Sequence, residues 1–168
     1  KPYSTEEMID VLAEVKKDIP KWVRIMRVQR EITIDEIVDG PKMGNLRQKV
    51  HQRLHEHGTS CKCIRCREAG LNNKRDFSEL KLEKIEYNAS EGKEVFLSVN
   101  DEDDLTYGFL RLRKPSINAH REEITEKTSI VRELHVFGKA IKMGEKEEFS
   151  FQHQGIGKKL MSEAEEIA

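Results

Sequence analysis

Aromatic side chains are scarce in this sequence: one Trp, three Tyr and six Phe in 168 residues. A platform of stacked aromatics for nucleic-acid bases is therefore not evident anywhere along it. Long apolar runs are absent as well. No stretch approaches the roughly 20 residues needed to span a bilayer, and no secretory signal opens the chain. That excludes a helical membrane-spanning class. Cysteine is limited to three residues within six positions, an odd number and a poor disulfide framework, so a reducing cytoplasm is expected. Net charge is nearly absent too, at −1, so the total implies no special partner. There is no internal repeat and no low-complexity tract.

What is present is a polarised charge distribution. Apolar and charged residues each make up 36%, enough for a core and a large solvated surface. From Lys42 to Arg75, nine Lys or Arg stand against Glu56 and Glu68, a balance of +7, with three histidines besides. From Asp76 to Gly108, ten acids stand against three lysines, a balance of −7. Neighbouring segments of opposite sign predict different modules.

Ser4 to Lys17 reads as a helix, with Ser4 and Glu7 spaced as a capping box and Met8, Leu12, Val15 and Ile19 on one stripe. Pro20 stops it, and Trp22 to Val28 reads as a strand. Asn45 is placed to cap a second helix that ends at Gly58, with Leu46, Val50 and Leu54 as a narrow apolar stripe. Four strand signals follow, separated by the turn-forming stretches NASEG and NDEDD. A closing helix carries Leu160, Met161, Ala164, Ile167 and Ala168 on one face. The first residue is not Met and the last helix has no terminating Gly or Pro, so a segment truncated at both ends is expected.

Two constellations carry chemistry. Gln152-His153-Gln154-Gly155-Ile156-Gly157 fits Gln-x-x-Gly-x-Gly at a helix start. Small residues there let a phosphate approach the backbone, the helix start offers free N–H groups and a positive dipole end, and Lys158 and Lys159 add charge. A tight strand-to-helix turn is the plain alternative. The motif is neither a Rossmann fingerprint nor a P-loop. Cys61-x-Cys63-x-x-Cys66 offers three soft ligands suited to tetrahedral zinc, with Lys62, Arg65 and Arg67 favouring thiolates. A fourth ligand could be His51, His55, His57 or a residue elsewhere. An iron–sulfur centre is the rival, and three unliganded thiols the plain reading.

The strand order with its Gly-x-Gly loop resembles the acyl-CoA-binding core of the GNAT acetyltransferases. More closely, SIVRELHVFG, FQHQGIGKKLMSEAEEIA, GFLRLRKP and CKCIRCREAG resemble the catalytic-subunit family of Elongator, in its archaeal or bacterial form, and the resemblance runs through essentially the whole chain. It implies an α/β (α+β) chain: the end of a radical SAM partial TIM barrel over 1–41, a basic zinc-binding linker over 42–75, and an incomplete GNAT-type domain with a mixed sheet over 76–168. It further implies that acetyl-CoA lies against the backbone of Glu133, Leu134, His135 and Val136, and against the loop Gln152, His153, Gln154, Gly155, Ile156, Gly157 and Lys158. S-adenosylmethionine and a 4Fe–4S cluster would belong to a part not in this chain. The activity implied is carboxymethylation of C5 of the wobble uridine of tRNA. The anticodon stem-loop would be positioned by the basic segment 42–75, and partner Elongator subunits are implied only for a eukaryotic-type member. The radical SAM cluster cysteines and the paired tyrosines that follow the motif helix in that family are absent here, so this segment alone is expected to be inactive. No catalytic residue is assigned. His135, in a strand, is as readily packed as functional. The runner-up function is a lysine acetyltransferase acting on histones or other proteins, and a non-catalytic RNA-binding scaffold is the third reading.

Overall fold

The computed structural model describes residues 2–30, 32–72, 79–137 and 155–168. The chain divides into two compact units, Lys1–Cys66 and Arg67–Ala168. The division falls once, at 66/67, within the stretch expected as a linker over 42–75.

In the first unit, helix α1 (Thr5–Lys17) starts as the sequence predicts. The Ser4 amide donates to Glu7 Oε2 at 2.7 Å and the Glu7 amide donates to Ser4 Oγ at 3.3 Å, closing both halves of the capping box. Its buried stripe is rotated from the expected one: Ile9, Ala13 and Lys16 face inward, while Val15 is 53% exposed. Met8, Leu12 and Ile19 flank that stripe, partly buried. Helix α2 (Leu46–Glu56) packs on α1 through Leu46, Val50 and Leu54, spaced by four as expected. Trp22–Val28 forms no strand ladder among the described residues. Its carbonyls are taken otherwise: Arg47 Nη2 donates to Ile25 O at 2.9 Å and Met26 O at 3.0 Å, and the Ile64 amide donates to Val23 O at 2.9 Å. A guanidinium here does what a neighbouring strand would do.

In the second unit, β1 (Lys81–Ala89), β2 (Gly92–Asn100), β3 (Thr106–Lys114) and β4 (Ile130–Val136) form a four-stranded sheet in chain order. Every described pair is antiparallel, where the resemblance implies a mixed sheet. Short turns join β1 to β2 and β2 to β3 and allow only that arrangement there, while residues 115–129 connect β3 to β4. The β1–β2 turn is Ser90-Glu91, both at positive φ, and Arg113 holds its carbonyls, donating to Ala89 O at 3.1 Å and Ser90 O at 3.0 Å. One sheet face, with Val95, Leu97, Val99, Leu110 and Leu112, packs against helix α4 (Ile156–Ile167) through Ile156, Leu160 and Ala164. Ala168, expected on that face, is exposed. The other face carries Glu94, fully enclosed, which accepts from Arg113 at 2.8 Å and from Arg132 at 2.6 Å. A bulge makes the second contact: Arg111 pairs with Glu133 and Leu112 with Val131, so Arg132 is the extra residue of β4. No helix among the described residues is long and apolar enough to cross a membrane.

Candidate functional site

The cysteine cluster is assembled by two sharp local features. Gly58, at φ 66°, ends α2 in the left-handed conformation and turns the chain back. One helical turn, α3 (Ile64–Arg67), then brings Cys66 above Cys63, with the Cys66 amide donating to Cys63 O at 3.0 Å. The Cys63 and Cys66 sulfurs lie 3.5 Å apart, and the three Sγ atoms all fall within 4.8 Å of one another. Cys61 and Cys63 are buried, and Cys66 is half-buried.

Of the three candidate histidines, His51 alone is brought to the cluster: its Nε2 sits 3.4 Å from Cys66 Sγ, while His55 and His57 are exposed. Burial lowers the His51 pKa, and the Lys16 and Arg47 charges lower it further, which keeps the imidazole neutral and able to act as a ligand. Hydrogen bonds with Cys61 and Cys66 hold the Cys63 thiol far below its usual range, while contacts with Cys61 and Cys63, together with burial, push the Cys66 thiol up. The donor set suits zinc. With Zn–S bonds of about 2.3 Å, a tetrahedral site needs sulfurs about 3.8 Å apart, close to what the cluster offers.

Lys16 was not legible as part of this site. Its side chain is 1% exposed and its Nζ lies 3.8 Å from Cys66 Sγ. In sequence it reads as a cation favourably placed at a helix C-terminus. The signal that could have found it is its spacing of seven from Ile9 and three from Ala13.

The second candidate site is the start of α4. Gly155 caps the helix at φ 77°, a conformation that favours glycine. The Lys159 amide donates to Gly155 O at 2.9 Å, so the amides of Ile156, Gly157 and Lys158 precede the helical ladder. A Cβ on Gly157 would touch Val136 Cγ2 at 3.6 Å, which places the helix start beside the end of β4. Gly108, overlooked in the sequence, makes that approach possible: a Cβ there would meet Ile156 Cγ2 at 2.9 Å and His135 O at 3.0 Å. β4 is a sheet edge among the described residues, with Leu134 and His135 exposed. Glu133 is paired with Arg111 at 2.9 Å, and the His135 ring lies 5.8 Å from Phe109 and 5.6 Å from Phe137. Gln152, His153 and Gln154 lie outside the described residues.

The basic segment is less available than its count implies. Arg47 caps carbonyls, Arg53 is paired with Glu6, Asp10 and Glu56, and Arg67 is buried against Asp104 at 3.2 Å. Lys74 and Arg75 lie outside the described residues. Lys42 and Lys49 are exposed, and Lys62, exposed as well, is engaged in an interaction of its own.

Residues 1–56 match the radical SAM C-terminal domain family. The tRNA uridine(34) acetyltransferase of Methanocaldococcus jannaschii is 45% identical over 175 residues, spanning 100% of this chain and 32% of that protein. Elongator complex protein 3 of Dictyostelium discoideum is 41% identical over 172 residues, spanning 100% of this chain and 31% of that one. Among solved structures, an N-terminally deleted archaeal Elp3 of Methanocaldococcus infernus superposes with a TM-score of 0.86 at 45% identity, covering 98% of this chain and 40% of that one. The chain thus spans about a third of the length of the curated relatives it matches.

Proposed function

The chain belongs to the family of Elongator catalytic subunits and tRNA uridine(34) acetyltransferases, and on that premise we propose that it serves an enzyme that carboxymethylates C5 of the wobble uridine of tRNA from acetyl-CoA. The observation that carries this reading is the meeting of the glycine-led start of α4 with the free edge of β4, in a chain whose relatives bear that name. The pyrophosphate of acetyl-CoA would rest on the amides of Ile156, Gly157 and Lys158, with Gln152, His153, Gln154 and Gly155 completing the loop. The pantetheine arm would run along the backbone of Glu133, Leu134, His135 and Val136. When bound, S-adenosylmethionine and a 4Fe–4S cluster supply the radical chemistry, and no residue of this chain is assigned to either.

Cys61, Cys63, Cys66 and His51 would hold zinc as a closed structural site that pins the loop after α2 to the core of the first unit. The tRNA backbone would meet Lys42, Lys49 and Lys62, contacts that position rather than read sequence. The barrel end over 1–41, the linker over 42–75 and the acetyltransferase part over 76–168 remain the proposed division, and the family match to residue 56 supports carrying the first part further. Three clustered cysteines outside any disulfide accord with the cytoplasm. Protein lysine acetylation is not favoured, because it requires neither the three-thiol centre nor the basic segment.

The test has two titrations. Acetyl-CoA should bind the chain by calorimetry, and a folded Gly157→Val variant should lose that binding. An anticodon stem-loop should bind with a logarithmic salt slope of about two to three, lowered by Lys49→Glu and Lys62→Glu. The longest natural polypeptide that contains this chain should then form carboxymethyluridine at the wobble position. Absence of acetyl-CoA binding at millimolar concentration refutes the reading.

A further inference from the structure

Lys16 is a cation in a place that cations avoid. It occupies the third buried position of α1, after Ile9 and Ala13, with a side chain 1% exposed. Among the described residues no carboxylate reaches it, and its partner is the Cys66 sulfur at 3.8 Å. A buried ammonium without an anion is costly, and retaining one calls for a compensating negative charge. The cysteine cluster supplies that charge in one particular state. A divalent metal on three thiolates carries a net charge of −1, which a neutral His51 imidazole leaves unchanged. One ammonium cancels it. Neither Cys61 nor Cys63 receives a hydrogen bond from Lys16, so the compensation is directed at one ligand.

We propose that Lys16 is a positioning residue of the metal centre: its ammonium pairs with the Cys66 thiolate, neutralises the three-thiolate site, and ties the packing of α1 to metal occupancy. The proposal rests on the zinc reading above. A cation beside a metal-bound thiolate also draws electron density from the sulfur, so Cys66 is the least nucleophilic ligand for its exposure.

The test compares the full chain with Lys16→Met, which keeps length and loses charge, and Lys16→Arg, which keeps charge. Zinc affinity is measured by competition with a chromophoric chelator. Lys16→Met should bind zinc 10- to 100-fold more weakly, the range typical of lost outer-shell partners, and Lys16→Arg within about threefold of the wild type. Alkylation of the zinc-loaded proteins, mapped by peptide mass, should accelerate several-fold at Cys66 in Lys16→Met and stay unchanged at Cys61 and Cys63. General loosening of the fold would expose all three thiols instead. Equal zinc affinity in Lys16→Met, or equal acceleration at all three cysteines, overturns the proposal. If Lys16→Met does not fold, Lys16→Arg decides alone: retained zinc upholds the charge argument, and lost zinc refutes it. A wild-type chain that binds no zinc refutes the metal centre itself, which is a different failure.

Discussion

Replacing Gly108 with alanine should loosen the start of α4, and the structure gives both sign and size. The new Cβ would lie 2.9 Å from Ile156 Cγ2, 3.0 Å from His135 O and 3.4 Å from Leu160 Cδ1. Carbon atoms prefer about 3.5–4.0 Å, so the first contact is too short by roughly 0.6 Å or more. Ile156 cannot swing clear, because a β-branched side chain in a helix has essentially one χ1 rotamer. The His135 carbonyl cannot move without dragging β4, since His135 pairs with Phe109. Overpacking of this kind costs about 1–3 kcal/mol, and the reduced freedom of the unfolded alanine chain returns about 0.5–1 kcal/mol. A net loss of about 1–2 kcal/mol should lower Tm by roughly 5–10 °C for a unit of this size. Acetyl-CoA binding should weaken alongside, because the helix start and the β4 edge separate. Gly157→Ala supplies the control. Its Cβ would make an ordinary 3.6 Å contact with Val136, and glycine to alanine inside a helix stabilises by up to about 1 kcal/mol. The two substitutions should shift Tm in opposite directions. Calorimetric melting of both variants, with acetyl-CoA titration, is the assay. A Gly108→Ala protein that melts within 1 °C of the parent refutes the reasoning.

Glu94→Gln should destabilise the second unit by about 2 kcal/mol in urea, because it leaves Arg113 and Arg132 facing a neutral, enclosed amide. An unchanged urea midpoint would argue against the clamp. Tyr107→Phe removes the hydroxyl that donates to Asp101 at 3.0 Å inside the sheet, a loss of about 1 kcal/mol measurable in the same titration. Arg47→Met should expose the carbonyls of Ile25 and Met26 and raise hydrogen exchange at the segment's neighbouring amides. The Ser4 hydroxyl, and after it the Ser4 amide, hold Glu7 below the usual carboxylate pKa, so their stabilising effect is full above that usual value and is lost as pH falls through the lowered one. A Glu7→Gln variant should flatten the acid limb of the α1 melting profile by circular dichroism, and an unchanged limb would exclude the capping box as its cause.

The sequence was most legible where a local rule acts alone. The capping box of α1, the four-residue spacing of α2, the hairpin turns and the four strands follow from propensity and periodicity, and all appear. It failed where a long side chain replaces a backbone partner. Trp22–Val28 has the composition of a strand, but Arg47, some twenty residues later, occupies its carbonyls. Lys16 and Gly108 went unnoticed for a related reason: each has an ordinary local explanation, at a helix end and in a strand, and only packing reveals the thiol or the helix opposite. The nine cations of 42–75 were overcounted because sequence cannot show that Arg53 and Arg67 are already spent on carboxylates of distant elements. Of the histidines, spacing could not choose, and the turn at Gly58 selected His51.

The outer edge of β4 has a bearing on how this chain behaves in a test tube. Its opposite number, β1, is guarded by the exposed charges of Lys81, Lys84 and Glu86, but β4, an edge strand among the described residues, presents Val131 and Leu134 at 40% and 39% exposure. Such an edge is a template for any extended chain, a second copy included. At high concentration the protein should therefore form edge-to-edge aggregates unless something extended lies along that strand. A ligand that pairs with β4 would then act as a solubiliser, and the concentration at which light scattering sets in would report its binding without any enzymatic turnover.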